Sequence, residues 1–188
     1  LSVSGHKIHG PKGIGFLYIK EKTKIRPISF GGDQQKGMRS GTINVPGIAG
    51  LGVAAAEAYA HLAENAEHMY ELKAYFADKL QQIGDVTING KAGHDSAPQI
   101  ISASFLGVRS EVLLHSLEDR CIYVSAGSAC SSNHPSQSGT LLNIGLDHAH
   151  QESTLRFSFC PETTREELDY TYGVLEELLP MLRRYTRH

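Results

Sequence analysis

The sequence predicts an α/β protein, and three observations carry that expectation. Short runs rich in branched and aromatic residues, at 14–19, 99–105 and 154–159, have the length and composition of strands. Longer stretches space apolar residues three and four apart, as Met69, Leu72, Phe76 and Leu80 do, which marks one face of a helix. The two textures alternate along the chain with glycine-rich polar segments between them, and that alternation suits helices packed on a sheet.

Taken in order, Leu1–Val3 and Ile14–Ile19 read as strands, the second buried, around the turn Ser4-Gly5-His6-Lys7-Ile8-His9-Gly10-Pro11-Lys12-Gly13. Ile25–Phe30 offers another short strand or extended segment. The twelve residues Gly31–Thr42 hold four glycines and form a loop with positive-φ positions. Val45–Ala60 is a helix with Pro46 in its first turn, where a missing N–H costs little. Ile48, Leu51, Gly52, Ala55 and Ala56 could pack against neighbours, and Gly47, Gly50 and Gly52 would permit close approach. A second helix spans Glu64–Ile83, and the break at His61–Asn65 is the expected passage between two domains.

Beyond it, Val86–Ile88 is a strand, Gly90–Ser96 a polar turn, and Gln99–Phe105 a strand with Ile101, Ala103 and Phe105 on one face and Ile100 and Ser102 on the other. Ser110–Glu118 is a helix with Ser110 as its cap, and His115 on it reads as structural or solvated. Ile122–Val124 is a strand entering the polar segment Ser125–Gly139; Leu141–Leu146 resumes a helical run and Thr154–Phe159 is a strand. Thr164–Arg184 is the last helix, opened by a Thr164/Glu167 capping box and packed through Leu168, Tyr172, Leu175, Leu178 and Leu179.

Composition narrows the function. Eighteen basic residues against twenty acidic ones leave no basic field of the kind that nucleic-acid binders carry. No apolar run reaches the roughly 18 residues of a membrane span. The three cysteines, Cys121, Cys130 and Cys160, form no close pair and no metal-like spacing, which argues for a reducing compartment; a soluble cytoplasmic protein without nucleic-acid or membrane partners is expected. The start at Leu1, inside an apparent strand, suggests a fragment of a longer chain.

Four places could carry chemistry. Lys7, in a turn of small residues, is either an ordinary surface lysine or an amine whose pKa a nearby cation or partial burial lowers, with Ser4, His6 and the N–H groups around Gly5 available to an anion. Arg39–Thr42 is either a solvated connector or an anion-contacting loop. Cys130 lies among small hydroxyl-bearing residues in a glycine-containing loop, unlike Cys121, read as a buried or half-buried spectator, and Cys160, read as a strand-end residue. Arg156, between apolar neighbours, is either a structural ion-pair partner or a planar clamp for a carboxylate.

The run Ser4–Gly13 closely resembles the cofactor-lysine segment of the cysteine desulfurases, pyridoxal phosphate (PLP) enzymes of the class V aminotransferase group. Segments 31–46, 127–130 and 153–158 resemble the same family in the same order. The resemblance implies the C-terminal part of a PLP-dependent transferase of fold type I. Residues 1–60 would be a remnant of the large PLP-binding domain with the cofactor lysine and a dimer-interface loop. Residues 61–188 would be a linker helix and an α/β small domain with the catalytic-cysteine loop.

It further implies that Lys7 holds the cofactor and shuttles a proton, and that Ser4 and His6 contact its phosphate together with Thr42 from the other subunit of a homodimer. Arg156 clamps the substrate carboxylate, and Cys130 takes sulfur from L-cysteine as a persulfide, releasing alanine. The sulfur then passes to a scaffold or carrier protein, as in iron–sulfur cluster assembly, and no metal is required. The family's cofactor-stacking histidine, its pyridine-pairing aspartate and its early phosphate-loop residues belong to a first half not in this sequence, so an active parent and an inactive fragment are compatible. Competing readings are a selenocysteine lyase, another class V aminotransferase-like enzyme, or a noncatalytic interaction module.

Overall fold

The computed structural model describes residues 1–126 and 138–185. They divide into two compact units, Leu1–Leu62 and Ala63–His188.

In the first unit, β1 (Ser2–Ser4) pairs antiparallel with β2 (Gly15–Leu17), Val3 opposite Phe16. A Cβ at Gly15 would overlap the Val3 carbonyl oxygen, so glycine lets the two strands close. The expected buried strand at 14–19 is shorter and exposed: Phe16, Leu17 and Tyr18 are 46%, 57% and 61% accessible. The reason is that a two-stranded ribbon has no covered face in this unit. Ile25–Phe30 forms no strand and contributes only the bridge Ser29 to Arg39. The loop that follows has left-handed residues, as expected, at Gly31, Gly37 and Gly41, and also at Gln35 and Lys36.

Helix α1 (Val45–Ala60) starts at Asn44, whose side chain accepts from Gly47 N at 3.0 Å, with Pro46 in the first turn. Leu51 and Ala54 are its buried residues of any size, whereas Ile48 is exposed. Of the three helix glycines, Gly50 is the one that admits a neighbouring element, because a Cβ there would meet the Pro11 ring at 2.7 Å.

The second unit begins on α2 (Leu62–Leu80) and builds a four-stranded antiparallel sheet in the order β3 (Val86–Asn89), β4 (Ile100–Phe105), β6 (Thr154–Ser158), β5 (Ser125–Ala126). Helices α3 (Ser110–Glu118), α4 (Gly139–Asn143), α5 (His148–Glu152) and α6 (Arg165–Tyr185) complete it. One sheet face, through Ile101, Ala103, Phe105, Leu155 and Phe157, joins a single core with Leu72, Phe76 and Leu80 of α2, Leu113 and Leu117 of α3, and Leu168, Leu175 and Leu179 of α6. Phe76 meets Phe157 edge-on with ring centres 5.3 Å apart.

The expected α6 capping box is present: Glu167 N donates to Thr164 Oγ1 at 3.3 Å and Thr164 N to Glu167 Oε2 at 2.9 Å. Tyr172 is only half-buried, and Met69 packs on the core from its margin. Three expectations shift. Ser110 is the first helical residue and not the cap, a place taken by Arg109 without a side-chain bond. The strand expected at Ile122–Val124 forms just after it, as β5 at Ser125–Ala126. Cys121 is exposed with φ 59°, because the chain reverses there between Glu118 and Ile122.

The other sheet face is polar. Asn89 Nδ2 donates to Ser104 Oγ at 2.9 Å, and the Ser104 and Thr154 hydroxyls lie 2.8 Å apart. Thr154 Oγ1 in turn donates to the His150 carbonyl at 2.6 Å, tying α5 to the sheet. Elsewhere Lys73, buried on α2, donates to Ser96 Oγ and the Ala97 carbonyl at 2.6 and 2.8 Å, and its burial pushes the amine below its ordinary pKa. Among the described residues no helix is long and apolar enough to cross a membrane.

Candidate active site

Lys7 sits on a single 3-10 turn, Gly5–Ile8, that interrupts the chain as β1 ends. Gly5 is its buried pivot: its N–H donates to Ile14 O and its carbonyl accepts from Gly10 N, both at 2.9 Å. His9 closes the turn with φ 61°, a left-handed position that histidine tolerates better than branched residues. Backbone bonds and the buried glycine therefore hold the turn, which leaves its side chains uncommitted. Ser4, His6 and Lys7 are exposed, and none has a side-chain hydrogen bond to any described residue.

This donor set fits a phosphorylated aldehyde. A hydroxyl and an imidazole suit the phosphate, and a primary amine three residues from the one and next to the other suits the carbonyl.

Thr42 lies in the same unit, exposed, beyond a loop that Ser40 closes. Ser40 is buried and donates to Gly32 O at 2.8 Å, while Gly41 N donates to Gln34 Oε1 at 3.1 Å. Arg39 donates to the Ser40 carbonyl at 2.8 Å. The hydroxyl and N–H of residues 40 and 41 are thus spent on the loop itself, and Thr42 is the hydroxyl left for an outside anion.

Arg156 is placed by β6. Its neighbours Leu155 and Phe157 are 0% and 5% accessible on the core face, so strand alternation turns Arg156 to the polar face, where it is exposed. Its Nη2 donates to Ser125 Oγ at 3.2 Å, and no carboxylate pairs with it among the described residues. Ser125 had no signal in the sequence beyond being a serine at the start of a polar segment, because its pairing depends on where β5 forms. Cys130 lies outside the described residues. Cys121 and Cys160 are free and exposed, and Cys160 Sγ lies 3.5 Å from Thr163 Oγ1.

Ser4, His6 and Lys7 are therefore brought together on one turn, Thr42 shares their unit, and Arg156 belongs to the other unit.

Known proteins have similar sequences and folds. The sequence pattern described as aminotransferase class-V matches residues 1–171. A cysteine desulfurase IscS of Dictyoglomus turgidum is 40% identical over 186 residues, covering 97% of this chain and 46% of its own length. One from Clostridium botulinum strain Hall is 38% identical over 185 residues, with 97% and 47% covered. Among solved structures, a NifS-like protein superposes with a TM-score of 0.84 at 37% identity, over 96% of this chain and 46% of that one. A NifS-like protein from Rickettsia africae gives 0.81 at 28% identity, over 94% and 46%. The chain spans about half the length of these relatives, and they share the fold of the PLP-dependent transferases of fold type I. With the pattern matched from the strand before Lys7 into the last helix, the chain belongs to the class-V aminotransferase family.

Proposed function

We propose that the full-length protein is a PLP-dependent cysteine desulfurase, converting L-cysteine to L-alanine and retaining the sulfur on Cys130 as a persulfide for an acceptor protein. The observation that carries this is the exposed Lys7 amine, without a partner among the described residues, beside Ser4 and His6 on a backbone-locked turn. The naming of relatives at 37–40% identity as cysteine desulfurases supports it.

In this reading Ser4 and His6 hold the cofactor phosphate, joined by Thr42 of a second subunit in a homodimer. PLP, when bound, supplies the electron sink that stabilises the carbanion at the substrate α-carbon. Arg156 holds the substrate carboxylate through its planar fork, which fixes the α-carbon and leaves Lys7 to take and return the proton there. The Cys130 thiolate attacks the substrate sulfur: a sulfur–sulfur bond forms, the carbon–sulfur bond breaks, and its electron pair stays with the substrate carbon. That carbon is then protonated and alanine leaves. Free thiols at Cys121 and Cys160 suit a reducing cytoplasm.

The test is a borohydride trap of the full-length protein with PLP, followed by peptide mapping and by assay of cysteine turnover. A stoichiometric label on Lys7, with alanine and a Cys130 persulfide as products, is the expected result. A label on another lysine, or keto-acid formation without sulfur transfer, refutes the assignment.

A further inference from the structure

At one level of the second unit's sheet, all four strands contribute a polar residue to the face opposite the core. Asn89 pairs with Ser102, Ser102 with Arg156, and Arg156 with Ser125, so the row crosses β3, β4, β6 and β5. Paired residues of an antiparallel ladder point to the same side, which places the arginine between two serines. The two serines are not equivalent. Ser102 is engaged with the Asn89 amide at 3.3 Å, whereas Ser125 accepts from Arg156 Nη2 at 3.2 Å.

We infer that Ser125 is a positioning residue for the carboxylate-binding arginine, an inference that rests on Arg156 holding the substrate carboxylate. A serine hydroxyl is small enough to leave the fork uncovered, and it fixes one outer nitrogen of a side chain that otherwise has several rotatable bonds and no charged partner among the described residues. The Nε, Nη1 and second Nη2 hydrogens have no acceptor among the described residues, so one full edge of the guanidinium faces outward for an α-carboxylate. Because a carboxylate is held alike before and during the reaction, the Ser125 bond stabilises both states equally and acts on affinity, not on the chemical step. The ligand class is a small α-amino carboxylate. Ser125 touches the arginine and not the reacting atoms.

The experiment is steady-state kinetics on the PLP-loaded full-length enzyme, with calorimetric titration of L-alanine as a readout independent of turnover. Ser125→Ala is expected to raise KM for cysteine and weaken alanine binding by roughly three- to tenfold each, as loss of one hydrogen bond to a charged group at an accessible site does, with kcat within about twofold. Ser125→Thr restores both values, and Ser102→Ala, an equal neighbour of Arg156 in the row, leaves them near wild type. Wild-type KM and alanine affinity in Ser125→Ala overturn the inference, as does an equal effect of Ser102→Ala. Arg156→Lys separates the two levels: unchanged KM there removes the carboxylate role of Arg156 itself, whereas a raised KM with a silent Ser125→Ala removes the role of Ser125 alone.

Discussion

At the scale of the residue, the proposed chemistry divides between Lys7, which the backbone presents on its turn, and Cys130, whose role is proposed from its sequence context. Cys130→Ala in the full-length protein is expected to retain PLP yet lose persulfide formation, which mass spectrometry after a single turnover detects; rapid desulfuration by that variant refutes the nucleophile. Lys7→Ala is expected to lose the borohydride label and at least about a hundredfold in turnover, the scale of a missing acid–base group. The Lys7 turn was legible in the sequence because everything that builds it is local, from Gly5 and Gly10 to the backbone bonds between them. Ser125 was not, since its bond to Arg156 joins residues 31 positions apart through a strand register that no local pattern encodes.

At the scale of the element, the long periodic segments and the short strands β1, β3, β4 and β6 were read correctly in kind, whereas β5 was displaced and α5 was not foreseen. Helices α2 and α6 each bury four or more side chains on one face, so their spacing shows through; β5 is two residues long and α5 five, too short to display a period. Removing one half of the α6 capping box tests its worth. Thr164→Ala leaves the Glu167 N–H without its side-chain acceptor and is expected to cost about 1 kcal/mol in denaturant unfolding.

The α2–α6 contact is also pH-dependent. Asp169 is held below the usual carboxylate range, first by its hydrogen bond from Lys79 at 2.7 Å and then by that from Tyr75. A depressed acid pKa means stability that is fully present above the unfolded carboxylate pKa and is lost as pH falls through the folded one. The same bond raises Lys79, so its contribution is present below the unfolded lysine pKa and fades as pH rises through the folded value. Thermal melts between neutral and strongly acidic pH are expected to show a smaller acid loss in Asp169→Asn than in wild type, with the difference shrinking in high salt because both groups are accessible.

At the scale of the whole molecule, the two units differ in how far each covers its own apolar residues. The second has one continuous core in which Phe105, Leu155 and Leu175 are fully buried, and Phe105→Ala is expected to cost about 3 to 5 kcal/mol there, measured by chemical unfolding. The first exposes Ile28 at 94% and Phe30 at 83%, with Leu17, Tyr18 and Val53 above half. The 188-residue chain is accordingly expected to bind an apolar dye, and Ile28→Lys with Phe30→Lys to reduce that binding without loss of helix content. One consequence of the sheet concerns evolvability. Odd positions of β6 belong to the core and even positions to the polar row, so a single-residue slip would exchange Arg156 for Phe157 and bury a charge. Replacement of the exposed Arg156 side chain or of its partner Ser125 carries no such penalty, because Ile101, Ala103, Leu155 and Phe157 keep the unit folded from the other face.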